Sequence, residues 1–568
     1  MKRLFKVLEN NKVKVFGIMA IILIIIFSFS ITPKHVQNDI FYTIKIGKLI
    51  RENGIDGVDH FSWHEGLPYT YPHWLYDFGM SYIYDLGGFD AIYISTCILS
   101  CILGICIYFV NSRITKNKLI SFLVTIAVLY LLRGYITARA QLVTFILFIL
   151  FVYNIEKFLE NKKVINALAM LVIQTLIANL HVAVWPFTFI LYLPYIAEYL
   201  FIELEDMILY QKLGIRHLKR KANRIQAKIN KNKANDKYIK KLQIITEKLL
   251  LKQENIQKIK ERKDKEKGKE YKIVINKNKN VKWLMIIMLL SILTGFLTPL
   301  GKTPFNYTYL TLIGETTHNI SEHIPLVLAN NIPIICTLIA VFTLITFTKV
   351  KISISDLCML GGLCFLMFWT RRQQSMFVLI GSIAFTRLLV QSFEMSMDKS
   401  AGDMVEKCIN RFTVFILIVG ILGWSLHLYS KVRDDNYINK KVYPIEASEW
   451  ILQNLDVKNI KLYNEYNYGS YLLFKDIPVF VDSRADLYAP EFNTPTGNVK
   501  EGTDIFMDFI NSSNITEYYG DIFKKYGITH AILYKNSKMS MLIRKIDSEK
   551  YNEIYSDDYF VIYEVITQ

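Results

Sequence analysis

VFGIMAIILIIIFSFSITPKHVQND, residues 15–39, is apolar from Val15 to Ile31 and then carries one acid, Asp39, just beyond the apolar run. A run of this kind is long enough to cross about 30 Å of hydrocarbon as a helix. Similar stretches recur eleven times, near 15–31, 90–110, 119–138, 141–158, 164–180, 184–202, 283–299, 331–348, 353–370, 373–390 and 411–429. With 52% hydrophobic residues and a mean hydropathy of +0.25, the chain reads as a polytopic α-helical membrane protein with about 11 transmembrane helices, not as a soluble one. The first run has the basic start of a signal peptide (Lys2, Arg3, Lys6), but no small-residue cleavage site follows it and more spans come later. It therefore reads as an anchor.

Charge fixes the expected topology. Residues 203–281 carry 24 Lys/Arg against 10 Asp/Glu, which is +14 of the net +17. A nucleic-acid surface is one reading of such a run; a cytoplasmic loop lying near anionic membrane lipids is the plainer one, and no nucleic-acid partner is expected. Ile239, Leu242, Ile245, Leu249, Ile256 and Ile259 fall near heptad spacing and "NKNKAND" at 230–236 reads as a turn, so a basic helical hairpin is expected. With that loop inside, parity puts the N-terminus in the cytoplasm and the C-terminus outside. Lys157, Lys162, Lys163, Arg387, Lys407 and Arg411 then fall on inner loops, as the charge rule requires. Four regions follow: a transmembrane module at 1–202 with an outer loop at 32–89, the insertion at 203–281, a second transmembrane module at 282–430, and an extracytoplasmic α/β domain at 431–568. The seven cysteines lie in spans or in the loop before the last span, without zinc-site spacing, and read as helix-packing residues.

Arg133, Arg139, Arg371 and Arg372 sit at the outer ends of spans, where the charge rule gives them no reason to be. They either snorkel or form a cluster of guanidinium forks facing a phosphate at the outer leaflet. In the first outer loop, "IFYTIKIGKLIRE" sets Ile40, Ile44, Leu49 and Ile50 against Lys45, Lys48 and Arg51, the pattern of a helix lying along the interface. A short helix from Trp74 to Tyr84 should lead into the second span, with Gly87-Gly88 as its stop. Asp39, fixed where headgroups meet water, is either a solvated or capping residue or a base for an acceptor hydroxyl.

Several stretches in order carry a family resemblance. Asn38-Asp39 to Gly47, then Asp59-His60-Phe61-Ser62-Trp63, then His73-Trp74-Leu75, resemble the first-loop pattern D-x-W-W-H…G…D-P-F-S…H-E-W-L of bacterial multi-pass proteins in the GT-C glycosyltransferase superfamily. Arg139-Ala140-Gln141-Leu142 resembles its R-P-Q-L, Asn179-Leu180-His181 its N-L-H, Ser321-Glu322 its S-E-W loop, and residues Val479 to Tyr488 its V-F-I-D-G-R-x-D-L-Y. The chain departs from the pattern at Phe41-Tyr42-Thr43, at His73 in place of Glu, at Ala140 in place of Pro and at His323 in place of Trp. The resemblance implies a GT-C-like fold and transfer of a sugar from a polyprenyl-phosphate donor to an extracytoplasmic acceptor (cell-envelope glycan, lipid or protein). By position Asp39 is the catalytic acid. Arg139, Arg371, Arg372 and His181 are the expected contacts to the donor phosphate. Some members of the superfamily use a divalent cation and others none; Asp39 with a second acid is the pair that would hold one.

His181 is equally readable as a helix-terminal residue bonded to backbone, and His318 with Glu322 has the i, i+4 spacing of a metal pair or of a solvated loop face. Asp59, His73, Trp74 and Glu322 are left as acceptor-binding or structural. In the C-terminal region "PIEASEWILQNL" and "ITEYYGDIFKKYG" read as helices, and "NIKLYN", "IPVFVD", "THAILY" and "YFVIYEV" as strands. Asp482, Arg484 and Asp486 follow one of those strands, so they either hold a turn by ion pairing or recognise an acceptor. A non-catalytic membrane scaffold or binder of lipid-linked glycans is the alternative to an enzyme. A transporter is disfavoured, since no inverted repeat or run of intramembrane acids is present.

Overall fold

The computed structural model describes residues 12–566 apart from 207, 232–235, 267–271, 277, 315–319, 321, 398–407, 433–435 and 495–500. Each of the eleven apolar stretches is helical. Among the described residues seven helices are long and apolar enough to cross a membrane: Lys12–Ile31, Trp74–Thr115, Lys118–Tyr135, Ala140–Asn161, Val182–Phe201, Arg371–Met395 and Arg411–Val432. Four shorter apolar helices, Val164–Leu180, Val281–Phe296, Ile332–Phe347 and Ile354–Trp369, accompany them. The first helix packs on Arg411–Val432 and Trp74–Thr115, and Trp74–Thr115 in turn packs on Lys118–Leu132 and Ala140–Asn161. Leu103, Leu129, Leu142 and Phe151 are fully buried in this helical core. Arg387 lies within the helix Gln374–Met397, and its guanidinium meets Glu156 at 2.6 Å and Asp356 at 2.5 Å, which offsets the cost of a charge among apolar helices.

The basic insertion forms two helices, Ile208–Lys231 and Asp236–Glu266, packed on each other, with Ile245 buried between them. The turn expected between them lies largely outside the described residues. The helix beginning at Trp74 is broken where expected: Gly87 and Gly88 are non-helical, and Gly88 takes φ 59°, a conformation that costs glycine little.

The loop at 32–89 differs from expectation. Its helix, Asp39–Asn53, does not lie with one face free. Ile40, Phe41, Tyr42, Thr43, Ile44, Ile46, Gly47 and Ile50 are all buried, between the Trp74 helix and Tyr466–Phe474 of the C-terminal region. Phe41 is ringed by Tyr443, Tyr471 and Phe474, with ring centroids 5.1, 5.2 and 5.4 Å away. The basic residues face acids: Lys45 pairs with Asp476, and Lys48 and Arg51 with Asp85. Gly47 permits the close approach, since a Cβ there would stand 2.0 Å from the Asp77 carbonyl oxygen. First loop and C-terminal region therefore share one hydrophobic core.

That C-terminal region carries a four-stranded mixed sheet in the order Leu462–Tyr463, His530–Tyr534, Phe560–Val565, Tyr551–Ser556. The first pair is parallel and the other two are antiparallel. The helices expected at its start and middle are Ile445–Asn454 and Tyr519–Tyr526. "IPVFVD" is not a strand of this sheet. Val479 makes an isolated parallel bridge to Ser62, with its N–H donating to the Phe61 carbonyl at 3.2 Å. The apolar run thus sews the first loop onto the C-terminal region, helped by Trp63 Nε1 donating to the Leu462 carbonyl at 2.9 Å.

Beyond that seam lies a buried ion triad. Arg484 reaches Asp59 at 2.6 Å through one terminal nitrogen and Asp482 at 2.6 Å through the other, while its Nε donates to Asp482 at 2.9 Å. Tyr488 donates to Asp482 at 2.7 Å, and Asp59 also accepts the Ser62 hydroxyl at 2.6 Å. The side chains of Arg484, Asp59 and Asp482 are 3%, 0% and 0% exposed.

Candidate functional site

A second carboxylate–guanidinium–carboxylate group stands at the opposite end of the Asp39 helix from its Gly54 cap. Asp39 occupies the first turn of its helix, where the helix dipole favours a negative charge. Arg139 is the residue before Ala140–Asn161 and has extended backbone, φ −128° and ψ 152°. Its Nε lies 2.7 Å from Asp39 Oδ2 and its terminal nitrogen 3.0 Å from Glu322 Oε1. The Nε contact is an ion pair without an aligned hydrogen bond. Asp39 is 20%, Arg139 28% and Glu322 48% exposed, so this group opens outward as the buried triad does not.

Glu322 is held in register with the other arginines by backbone. The Arg372 N–H donates to the Glu322 carbonyl and the Arg371 N–H to the Ile324 carbonyl, both at 2.9 Å. Arg133, Arg139, Arg371 and Arg372 all line one cleft of about 530 Å³, which also includes Glu322, Leu131 and Ile334. With Arg139 clasped by Asp39 and Glu322, the other three guanidiniums leave the cleft lining net positive. Two histidines join it: an Arg372 terminal nitrogen is 3.4 Å from His181 Nε2, and the His73 and His181 rings stand 4.8 Å apart, edge to face. Burial, followed by the neighbouring arginine charges, pushes His73 down to about 3; burial, His73 and the same arginines push His181 well below its ordinary value. Both rings are therefore neutral near pH 7 and act as hydrogen-bonding groups. If Arg372 donates to Nε2, His181 carries its proton on Nδ1, a buried position with no protein partner among the described residues. Burial alone would raise Glu322, but Arg139 and Arg372 reverse the effect and leave it below its ordinary range.

The expected site residues separate into groups. Asp39, Arg139, Arg371, Arg372, His181, His73 and Glu322 come together at or beside the cleft. Trp74 donates from Nε1 to Asn179 Oδ1 at 3.1 Å and ties the first loop to the end of Val164–Leu180. Asp59, Asp482 and Arg484 are spent on one another in the buried triad and line neither of the two clefts beside Arg139. Asp486 is also buried, where it accepts the Tyr307 hydroxyl; burial raises its carboxyl, with Tyr307 and then Arg372 opposing. His318 and Ser321 lie outside the described residues. Gln37, Asn38 and Tyr307 were not singled out as site residues from sequence; the nearness of Gln37 and Asn38 to Asp39 in the chain was the one available signal. Among the described residues no group of three or more His, Cys, Asp or Glu side chains could hold a metal ion. Asp39 and Glu322 do not fit a divalent cation as they stand, because the Arg139 guanidinium occupies the position between them.

No family model matches the chain, and no curated protein matches its sequence. The crystal structure of the oligosaccharyltransferase of Archaeoglobus fulgidus in its apo form is similar, with TM-score 0.52 and 10% identity over 92% of this chain and 70% of that one. The chain shares the overall fold of that protein. At that identity the likeness is one of fold, and it agrees with a helical membrane protein.

Proposed function

We propose that the chain is an inverting membrane glycosyltransferase that moves a sugar from polyprenyl phosphate to an acceptor outside the cytoplasm. The observation that carries this reading is the single guanidinium of Arg139, shared between Asp39 and Glu322 at the edge of a cleft holding three more arginines. In this reading the donor phosphate lies against Arg371, Arg372 and the Nδ1–H of His181. An acceptor hydroxyl attacks the anomeric carbon from the side opposite the phosphate. The new C–O bond forms as the sugar–phosphate bond breaks, the proton passes to Asp39, and polyprenyl phosphate leaves with the bonding electrons. Negative charge builds on the phosphate during that step, which is where guanidinium forks are most effective.

In this reading the Asp39–Arg139 pair opens on donor binding, because a phosphate drawing on the same guanidinium competes with Asp39 for it and leaves the carboxylate free to meet the acceptor hydroxyl. The same pair supports a second reading, a non-catalytic binder of lipid-linked glycans in which Asp39 only positions Arg139. Asp39→Asn in the full-length protein separates the two. With an extract of polyprenyl-phosphate sugars as donor, the enzyme reading expects release of polyprenyl phosphate to fall by about 10²–10⁴-fold while its binding is retained. Unchanged release, or no release by the wild type, would leave only the binder.

A further inference from the structure

A second, smaller chamber of about 340 Å³ adjoins the arginine cleft and shares Gln37, Arg139 and Glu322 with it. Its remaining lining, including Asn38, Asn439, Val442 and Tyr443, carries no arginine or lysine and no further acid. Its volume falls in the range of small-ligand pockets, about 300–1,000 Å³. Two of its groups want a partner. The Gln37 Oε1 and Asn38 Oδ1 oxygens are buried and accept no hydrogen bond from the described residues. Asn38 is oriented by its own Nδ2, which donates to the Tyr466 carbonyl at 3.0 Å. Both orphaned atoms are acceptors, so they call for a ligand rich in donors, since a buried acceptor is costly to leave unmatched. A phosphate, with no proton to donate near pH 7, does not meet that need. Hydroxyl groups do.

Resting on the transferase reading, we infer that this chamber is the acceptor subsite and that the acceptor is a neutral, hydroxyl-rich glycan. Its hydroxyls donate to Gln37 and Asn38, and it approaches Arg139 and Asp39 from the side opposite the arginine cleft. The two substrates are thereby sorted by chemistry, the anion to the guanidiniums and the neutral sugar to the amides. An extended peptide would present backbone donors and acceptors alike, whereas the two orphaned oxygens call for donors alone.

The test uses the full-length protein in lipid nanodiscs and calorimetric titration with three probes: undecaprenyl phosphate, a panel of neutral hexose and N-acetylhexosamine oligosaccharides, and a panel of uncharged extended peptides. Asn38→Leu removes an acceptor that lines this chamber and not the arginine cleft, and Val442→Trp fills the chamber without deleting a side-chain hydrogen bond. Each should weaken oligosaccharide binding at least tenfold and leave undecaprenyl phosphate within twofold. Oligosaccharide affinity untouched by Val442→Trp overturns the inference, as does a loss of undecaprenyl phosphate binding in its place. Binding of undecaprenyl phosphate and of peptides but of no neutral oligosaccharide also overturns it, and leaves the transferase reading standing. Failure of the wild type to bind undecaprenyl phosphate removes the transferase reading itself.

Discussion

Two arginines in this protein are each clasped by two carboxylates, and they do opposite things. Arg484 joins Asp59 and Asp482 in full burial, with Tyr488 and Ser62 matching the remaining oxygens. Arg139 joins Asp39 and Glu322 at the edge of a cleft, in partial exposure and without an aligned hydrogen bond at Nε. The buried group is saturated and holds two distant parts of the chain together. The open group keeps unspent hydrogen-bonding capacity at Arg139 Nε, and the residues that line the chamber with it include Gln37 and Asn38, whose side-chain oxygens have no partner among the described residues. Saturation, more than residue type, distinguishes a structural clasp from a site.

Removing each arginine should expose the difference most sharply. Arg484→Ala leaves two carboxylates buried without a cation, a change that costs about 3–5 kcal/mol and should lower the thermal midpoint of the full-length protein or prevent its accumulation. Next in size is Gly47→Ala, which sets a methyl against the Asp77 carbonyl and should cost about 1–3 kcal/mol by forcing the first-loop helix off its neighbour. The same denaturation assay reads it. Acid should also act on the closed clasp. Burial raises the Asp59 carboxyl, but Arg484 and the Ser62 hydrogen bonds more than reverse this, so Asp59 sits below its ordinary 3.8. Its contribution is complete above that value and is lost as the pH falls through its depressed folded pKa. Stability should therefore decline below about pH 4, with a slope of at most about 1.4 kcal/mol per pH unit from this group. The slope should flatten in Asp59→Asn. Smallest of all should be the stability effect of Arg139→Ala, about 0–1 kcal/mol, because its pairs are open to solvent. An equal loss for Arg139→Ala and Arg484→Ala would erase the comparison.

The helical layout was legible because apolar runs of spanning length leave few alternatives, and Arg139, Arg371 and Arg372 drew notice because they broke the charge rule. Other features were hidden for physical reasons. "IPVFVD" has the composition of a sheet strand, yet its backbone partner is Phe61–Trp63, far away in the chain, and no local pattern encodes that choice. Tyr551–Ser556 escaped notice as a strand because Asn552 and Glu553 are exposed and interrupt its apolar character. The basic side of the first-loop helix suggested lipid headgroups until its acids, Asp476 and Asp85, were found opposite. Arg484 and Arg139 look alike in sequence, each with a nearby or distant acid to pair with; only the packing decides which one is sealed.

The most direct test is titration of undecaprenyl phosphate into the full-length protein in nanodiscs, comparing the wild type with the Arg371→Ala/Arg372→Ala double variant. Charge-assisted hydrogen bonds are each worth about 1.5–3 kcal/mol, so the wild type should bind and the double variant should bind at least about thirtyfold more weakly. Equal binding by both, or none by either, would contradict the assignment of the open cleft to a lipid phosphate.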